Sequence, residues 1–153
     1  MSKIAEKIKE LGLEIPQAAV PVANYVGFVK SGNQIIISGQ LPMRDGKVKY
    51  TGKVGSEVSI EDAILAAKLC AINIIAQLNL ALDGNLDKIK KCVKLGIFIN
   101  ATPDFTDHPK VANGASDLIV EIFAEKGKHA RAATGAGSLP LGAAVEIDAI
   151  FEV

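Results

Sequence analysis

Apolar residues recur along this chain with two distinct periods, and the switches between them mark its elements. Ile4, Ile8 and Leu11 stand at helical spacing and predict a short first helix, which Gly12 can end. After Pro16 and Pro21, the runs Tyr25 to Val29 and Gln34 to Ser38 predict two strands joined by a hairpin turn at Ser31-Gly32-Asn33. The consecutive apolar positions Ile35, Ile36 and Ile37 predict burial on both faces of the second strand. Arg44-Asp45-Gly46-Lys47 predicts a turn. Ser59, followed three residues later by Asp62, resembles a capping box, and Ile60, Ala63, Ile64, Ala67, Ala71, Ile74, Ile75 and Leu78 then mark one face of a long helix. Its other side carries Leu65, Leu69 and Ile72, so little of it should meet water, and Asp83-Gly84-Asn85 stops it.

The period then drops to two. Val93, Leu95, Ile97 and Ile99 alternate with Cys92, Lys94, Gly96, Phe98 and Asn100, which predicts a strand. A loop with Pro103 and Pro109 leads to a second helix whose face is Val111, Ala115, Leu118, Ile119, Ile122 and Phe123, ended by Gly127. The last strand sets Val145, Ile147, Ala149, Phe151 and Val153 on one face and Glu146, Asp148, Ile150 and Glu152 on the other. Long helices between strands predict an α+β layer with both main helices on one side of a sheet of four strands. Residues 1–153 form one domain in this reading, with residues 1–14 as an N-terminal helical extension. The sheet's other face would still carry Ile36, Phe98 and Ile150, and it also holds Glu146. A single layer cannot cover that face, so the pattern predicts a homo-oligomer that buries it between subunits.

Composition narrows the partners. Seventeen Lys and Arg offset seventeen Asp and Glu, so no net field draws the chain to nucleic acid or a membrane surface. The segment Ala63 to Leu82 comes nearest to a membrane span, but Lys68, Asn73, Gln77 and Asn79 interrupt it. Met1 to Leu13 has no apolar core of the signal-peptide kind. Cys70 and Cys92 lack CxxC spacing, so neither a zinc site nor a redox pair is indicated, and two free thiols suit a reducing cytoplasm. His108 and His129 are single residues in loop-like contexts with no second ligand at metal spacing. No G-x-S-x-G elbow exists, Gly135-Ala136-Gly137 is too short for a phosphate fingerprint, and the cluster Lys88, Lys90, Lys91 and Lys94 reads as solvated surface.

The residues that do suggest chemistry lie near the end. Arg131 sits among alanines and glycines with no acid nearby in sequence, after a helix end, where a loop meets the sheet. Small neighbours leave room beside a guanidinium whose fork matches a carboxylate; a surface arginine or a structural ion pair is the alternative. Glu146 lies on an otherwise apolar strand, where a carboxylate can handle a proton or a water, or can simply be satisfied by a lysine or backbone donors.

Three stretches carry a family resemblance: Gly32-Asn33-Gln34-Ile35-Ile36-Ile37-Ser38-Gly39-Gln40-Leu41-Pro42, the pair Ala130-Arg131, and Leu139-Pro140 followed by Val145-Glu146-Ile147-Asp148-Ala149-Ile150. In this combination and order the chain, from about Ile15 to its end, resembles the Rid/YjgF family of reactive-intermediate deaminases, also labelled L-PSP endoribonucleases. The resemblance implies a chorismate-mutase-like α+β fold with a mixed sheet, and a homotrimer with a site in each inter-subunit cleft. It also implies hydrolysis of 2-imino acids such as 2-aminoacrylate to 2-keto acids and ammonia, with no cofactor or metal. By the same resemblance Arg131 clamps the substrate carboxylate and Glu146 holds or activates the attacking water. Tyr25 on the first strand, Ser38, Gly39 and Asn113 then line the pocket, as does Ala133, which stands where archetypal members have cysteine. The N-terminal helix and a longer loop from Asp104 to Val111 set the chain in a side branch. A trimeric binding module for small carboxylates or 2-keto acids is the alternative function. Ribonuclease action, the family's other label, fits poorly with the charge balance.

Overall fold

In the computed structural model, which describes all 153 residues, the chain is a mixed five-stranded sheet with two long helices on one face. The elements are α1 (Lys3–Glu10), β1 (Phe28–Ser31), β2 (Gln34–Gln40), β3 (Met43–Arg44), β4 (Lys47–Val48), α2 (Ile60–Ala81), β5 (Lys91–Asn100), α3 (His108–Phe123), β6 (Ala130–Ala136) and β7 (Val145–Glu152). The sheet order is β1-β2-β7-β5-β6, all antiparallel except the β5–β6 pair, while β3 and β4 form a separate hairpin.

Local chemistry explains the boundaries. Gly32, at φ +59, opens a two-residue turn between β1 and β2. Ser59 caps α2, its Oγ accepting from the Asp62 N–H at 3.1 Å. The first turn of α1 is held from outside: the Asp87 carboxylate accepts from the Lys3 and Ile4 N–H groups at 2.9 and 3.0 Å, which pins the N-terminal extension to the 3-10 turn at Leu86–Lys88. Ile8 is buried beneath it.

α2 is long and apolar enough to cross a membrane by length and composition, but most of it is buried inside the fold, with Leu65 and Leu80 left exposed. Ala63, Ala67, Cys70, Ile74 and Leu78 face the core, which Ile35, Ile37, Leu95, Ile97, Ile99, Ile147 and Phe151 complete from the sheet. α2 and α3 approach closely at Gly114, where a Cβ would collide with the Ile64 carbonyl oxygen. Glycine stands there for space, at some cost in helix propensity.

Ile36 is 42% exposed although Ile35 and Ile37 are fully buried, as the sequence reading of a sheet face uncovered within one chain expects. The structure departs from the sequence reading in four places. A fifth strand, β6, occupies the small-residue run, so Arg131 lies on an edge strand and not in a loop after the helix. Tyr25 precedes the first strand, which starts at Phe28. A register shift between Cys92 and Lys94 turns Cys92 into the core in place of Val93. The loop before the second helix ends early: α3 begins at His108, with Pro109 in its first turn, where a missing N–H costs nothing.

Gly114→Ala should lower stability by about 1–3 kcal/mol, because the α2 backbone cannot yield as a side chain could. Urea denaturation of the two proteins measures it, and unchanged stability would contradict the close crossing.

Candidate functional site

Strand register decides where each candidate points. Arg131 pairs with Leu95 and Ala133 with Ile97, both core residues, so Arg131 and Ala133 lie on the helix-covered side of the edge strand. Glu146 pairs with Phe98, and Asp148 with Gly96, on the uncovered side. The seven candidate residues therefore fall into two groups on opposite faces of one sheet.

The first group gathers around Arg131. Its Nη1 donates to Asn113 Oδ1 at 2.8 Å and to Ser116 Oγ at 3.0 Å, and Nη2 makes a long contact of 3.5 Å to the Pro109 carbonyl. No carboxylate lies within ion-pair distance of it. Three of the five guanidinium N–H groups are thus engaged, leaving the Nε hydrogen and one Nη2 hydrogen, as many donors as a carboxylate takes in a two-bond pair. Ala133 is next on the same side of the strand. Farther along, Gly135 makes space for His108, whose Nε2 would lie 3.0 Å from a Cβ built there. An oriented, solvent-exposed cation with small neighbours and no acid partner is suited to receive an anion.

The second group gathers around Glu146. The β2–β7 register shifts between Ile37 and Gln40, and the displaced Ser38 bonds elsewhere: its Oγ donates to the Val26 carbonyl at 2.6 Å and its N–H to the Gly27 carbonyl at 2.9 Å. That irregularity lays the segment just after Tyr25 beside Ser38 and Gly39. The Tyr25 side chain is itself exposed. A Cβ at Gly39 would collide with Glu146 Oε1, so the glycine vacates the volume that the carboxylate uses. Gly96 makes the same room for Asp148. Partial burial, and then the negative charge of Asp148, push the Glu146 carboxyl above its ordinary value of 4.5. A carboxylate raised in this way is a better proton acceptor than a free one.

Sequence reasoning missed two members of the first group. Ser116 and His129 join Arg131 in one hydrogen-bonded chain, Ser116 Oγ to His129 Nε2 at 2.8 Å and His129 Nδ1 to the Gly127 carbonyl at 2.6 Å. The signal was present for one of them: His129 is two residues before Arg131, the spacing that puts both on one side of extended chain. The thiols are not site groups. Cys70 and Cys92 are buried, and burial pushes the Cys92 thiol up to about 12.

Comparison with known proteins agrees with the architecture. The family described as "YjgF/chorismate mutase-like, putative endoribonuclease" matches residues 5–152. Protein TCP17 of Trypanosoma cruzi is 45% identical over 152 residues, which is 99% of this chain and 94% of that protein. The crystal structure of Atu1372 from Agrobacterium tumefaciens is 50% identical with a TM-score of 0.93, covering 98% of this chain and 92% of that one. Escherichia coli TdcF, solved with bound serine, shares the fold at 22% identity with a TM-score of 0.64, over 90% of this chain and 94% of its own.

The raised Glu146 carboxyl fixes the sign of a stability effect. The folded state holds that proton more tightly than the unfolded chain, so its contribution is present at low pH and is lost as pH rises through the folded value, above 4.5. Glu146→Gln imitates the protonated form. Thermal unfolding should show it more stable than the parent at about pH 8, with the gap closing near about pH 4. A lower Tm for the variant at the higher pH would contradict the assignment.

Proposed function

The chain belongs to the YjgF/chorismate mutase-like family, and on that premise we propose that it hydrolyses small 2-imino acids, 2-aminoacrylate-derived imines among them, to 2-keto acids and ammonia at clefts between the subunits of a homotrimer. The observation that carries this reading is Arg131: a guanidinium oriented by Asn113 and Ser116, free of any counter-carboxylate and flanked by small residues. The trimer is supported by the uncovered sheet face that carries Glu146, where Ile36 and Phe98 remain 42% and 39% exposed. Because Arg131 and Glu146 occupy opposite faces of one sheet, a site that uses both takes the arginine from one subunit and the glutamate from its neighbour. A closed ring of identical head-to-tail contacts provides that pairing in every cleft.

The chemistry follows from the two groups. Arg131 holds the substrate carboxylate and so fixes the imine carbon next to it. Glu146 removes a proton from water as the water oxygen bonds to that carbon. The C=N electron pair moves to nitrogen, which takes that proton from Glu146. The carbinolamine then collapses: Glu146 removes the hydroxyl proton as the C–O double bond forms, the C–N bond breaks, and Glu146 passes this second proton to the departing nitrogen, so that imine and water become keto acid and ammonia. The electrophile is already activated, and a positioned base of this kind contributes about 10²–10⁴ in rate. The serine bound to TdcF is a ligand of matching type, a small amino acid with a carboxylate to clamp.

Ala133 favours one other reading. A methyl group beside Arg131 offers no polar atom to a reacting ligand, so the same clefts could hold a keto acid without turning an imine over. An assay separates the two. With 2-aminoacrylate generated in situ, the protein should release pyruvate well above the buffer rate. Glu146→Gln should cut kcat by about 10²–10⁴, and Arg131→Ala should chiefly raise KM. Stabilisation by 2-oxobutyrate without turnover would leave only the binding function, and neither response would overturn both.

A further inference from the structure

The hydrogen-bonded chain behind Arg131 has a definite polarity, which follows from what each atom can do. The Gly127 carbonyl can only accept, so the His129 nitrogen 2.6 Å from it, Nδ1, must carry hydrogen. In the neutral ring Nε2 is then bare and accepts the Ser116 hydroxyl at 2.8 Å. With its hydrogen committed to His129, Ser116 Oγ presents lone pairs to Arg131 Nη1 at 3.0 Å. Ser116 and His129 each accept one hydrogen bond and donate one, through separate atoms or lone pairs, and all the bonds of the chain run the same way. Ser116 is buried on α3, while His129 and Arg131 flank Ala130 at the start of β6, so the chain also locks helix to strand. A charged ring would break this order: both nitrogens would donate, the Ser116 hydrogen would lose its acceptor, and two cations would flank one hydroxyl.

From this geometry we propose that Ser116 and His129 are positioning residues for Arg131. His129, as the neutral Nδ1–H tautomer, directs the Ser116 lone pairs at Nη1. With Asn113 this immobilises the guanidinium and leaves its Nε and one Nη2 hydrogen pointing to the ligand. The arrangement matters because an arginine otherwise loses rotamer freedom when it binds, and holding it beforehand removes part of that cost. The inference rests on Arg131 being a carboxylate receptor, the reading proposed above, but it makes one statement that stands without a ligand: the guanidinium is already fixed in the empty protein.

The test has two arms. In ¹⁵N-resolved NMR of the ligand-free protein, the Arg131 Nη hydrogens should appear as separate, slowly rotating signals, and the His129 ring should be neutral with its proton on Nδ1. Ser116→Ala and His129→Ala should each collapse the Nη signals, and His129→Gln, whose Oε1 can accept from Ser116, should restore them in part. In the second arm, calorimetric binding of 2-oxobutyrate should weaken about tenfold in Ser116→Ala and His129→Ala, the effect of one hydrogen bond to a charged group. Placed in an Arg131→Ala background, the same substitutions should cause no further loss, since they act through the arginine. Rapidly rotating Nη groups in the parent protein, an Nε2–H tautomer, or an equal loss in the Arg131→Ala background would each overturn the proposal. If 2-oxobutyrate fails to bind the parent protein and no imine is turned over, the functional reading falls, and the Nη and ring signals still decide this one.

Discussion

A strand shows successive side chains to opposite faces, and in this molecule that alternation governs almost everything about the site. β5 anchors both neighbours in register, β6 through Leu95–Arg131 and β7 through Phe98–Glu146. Leu95 is in the core and Phe98 is not. The one cation suited to a ligand and the one carboxylate pushed above its ordinary value are therefore held on opposite sides of a layer only one sheet thick. No side-chain rotation can bring them together within a subunit. Any chemistry that requires both must be assembled between chains.

The two faces also set different electrostatic conditions. On the helix side, Arg131 stays exposed and is satisfied by neutral oxygens from Asn113, Ser116 and Pro109. Its charge is oriented without being cancelled. On the open side, Glu146 lies opposite Phe98 and is partly buried, which makes its ionised form costly, and Asp148 adds repulsion. Closing another subunit over that face would desolvate Glu146 further, and a cation arriving with the partner would offset the cost. In this account stability and chemistry are coupled: the surface that most needs covering is the one that carries the proton acceptor.

Much of the fold was legible because its elements are periodic. The alternation along β7, the 3.6-residue spacing of α2 and α3, the Ser59 cap and the Gly32-Asn33 turn are local signals, and the structure has each of them. β6 was not legible. Its seven residues, Ala-Arg-Ala-Ala-Thr-Gly-Ala, have almost no β-branched or aromatic content, and the strand exists because the β5 backbone offers it hydrogen bonds in parallel register. The bulge that buries Cys92 escaped for a similar reason, since one extra residue reverses a pattern without changing its composition. At the site, Arg131 and Glu146 stood out as charges in small or apolar surroundings, and Asn113 entered through the family resemblance. Ser116 was hidden: a serine on a helix carries no sign of its partner, and this one bonds to His129, thirteen positions away.

The most direct measurement of the central claim, that Arg131 and Glu146 act together across a subunit boundary, is subunit complementation. Arg131→Ala and Glu146→Gln proteins would be purified separately, shown to have little activity at a low imine concentration, mixed in equal amounts, exchanged under mild denaturant and assayed again at that concentration. Random reassembly into head-to-tail rings makes both groups intact in roughly a quarter of the clefts, so activity should return to about that fraction of the parent value. No recovery after demonstrated exchange, or full activity in an isolated single subunit, would contradict the account.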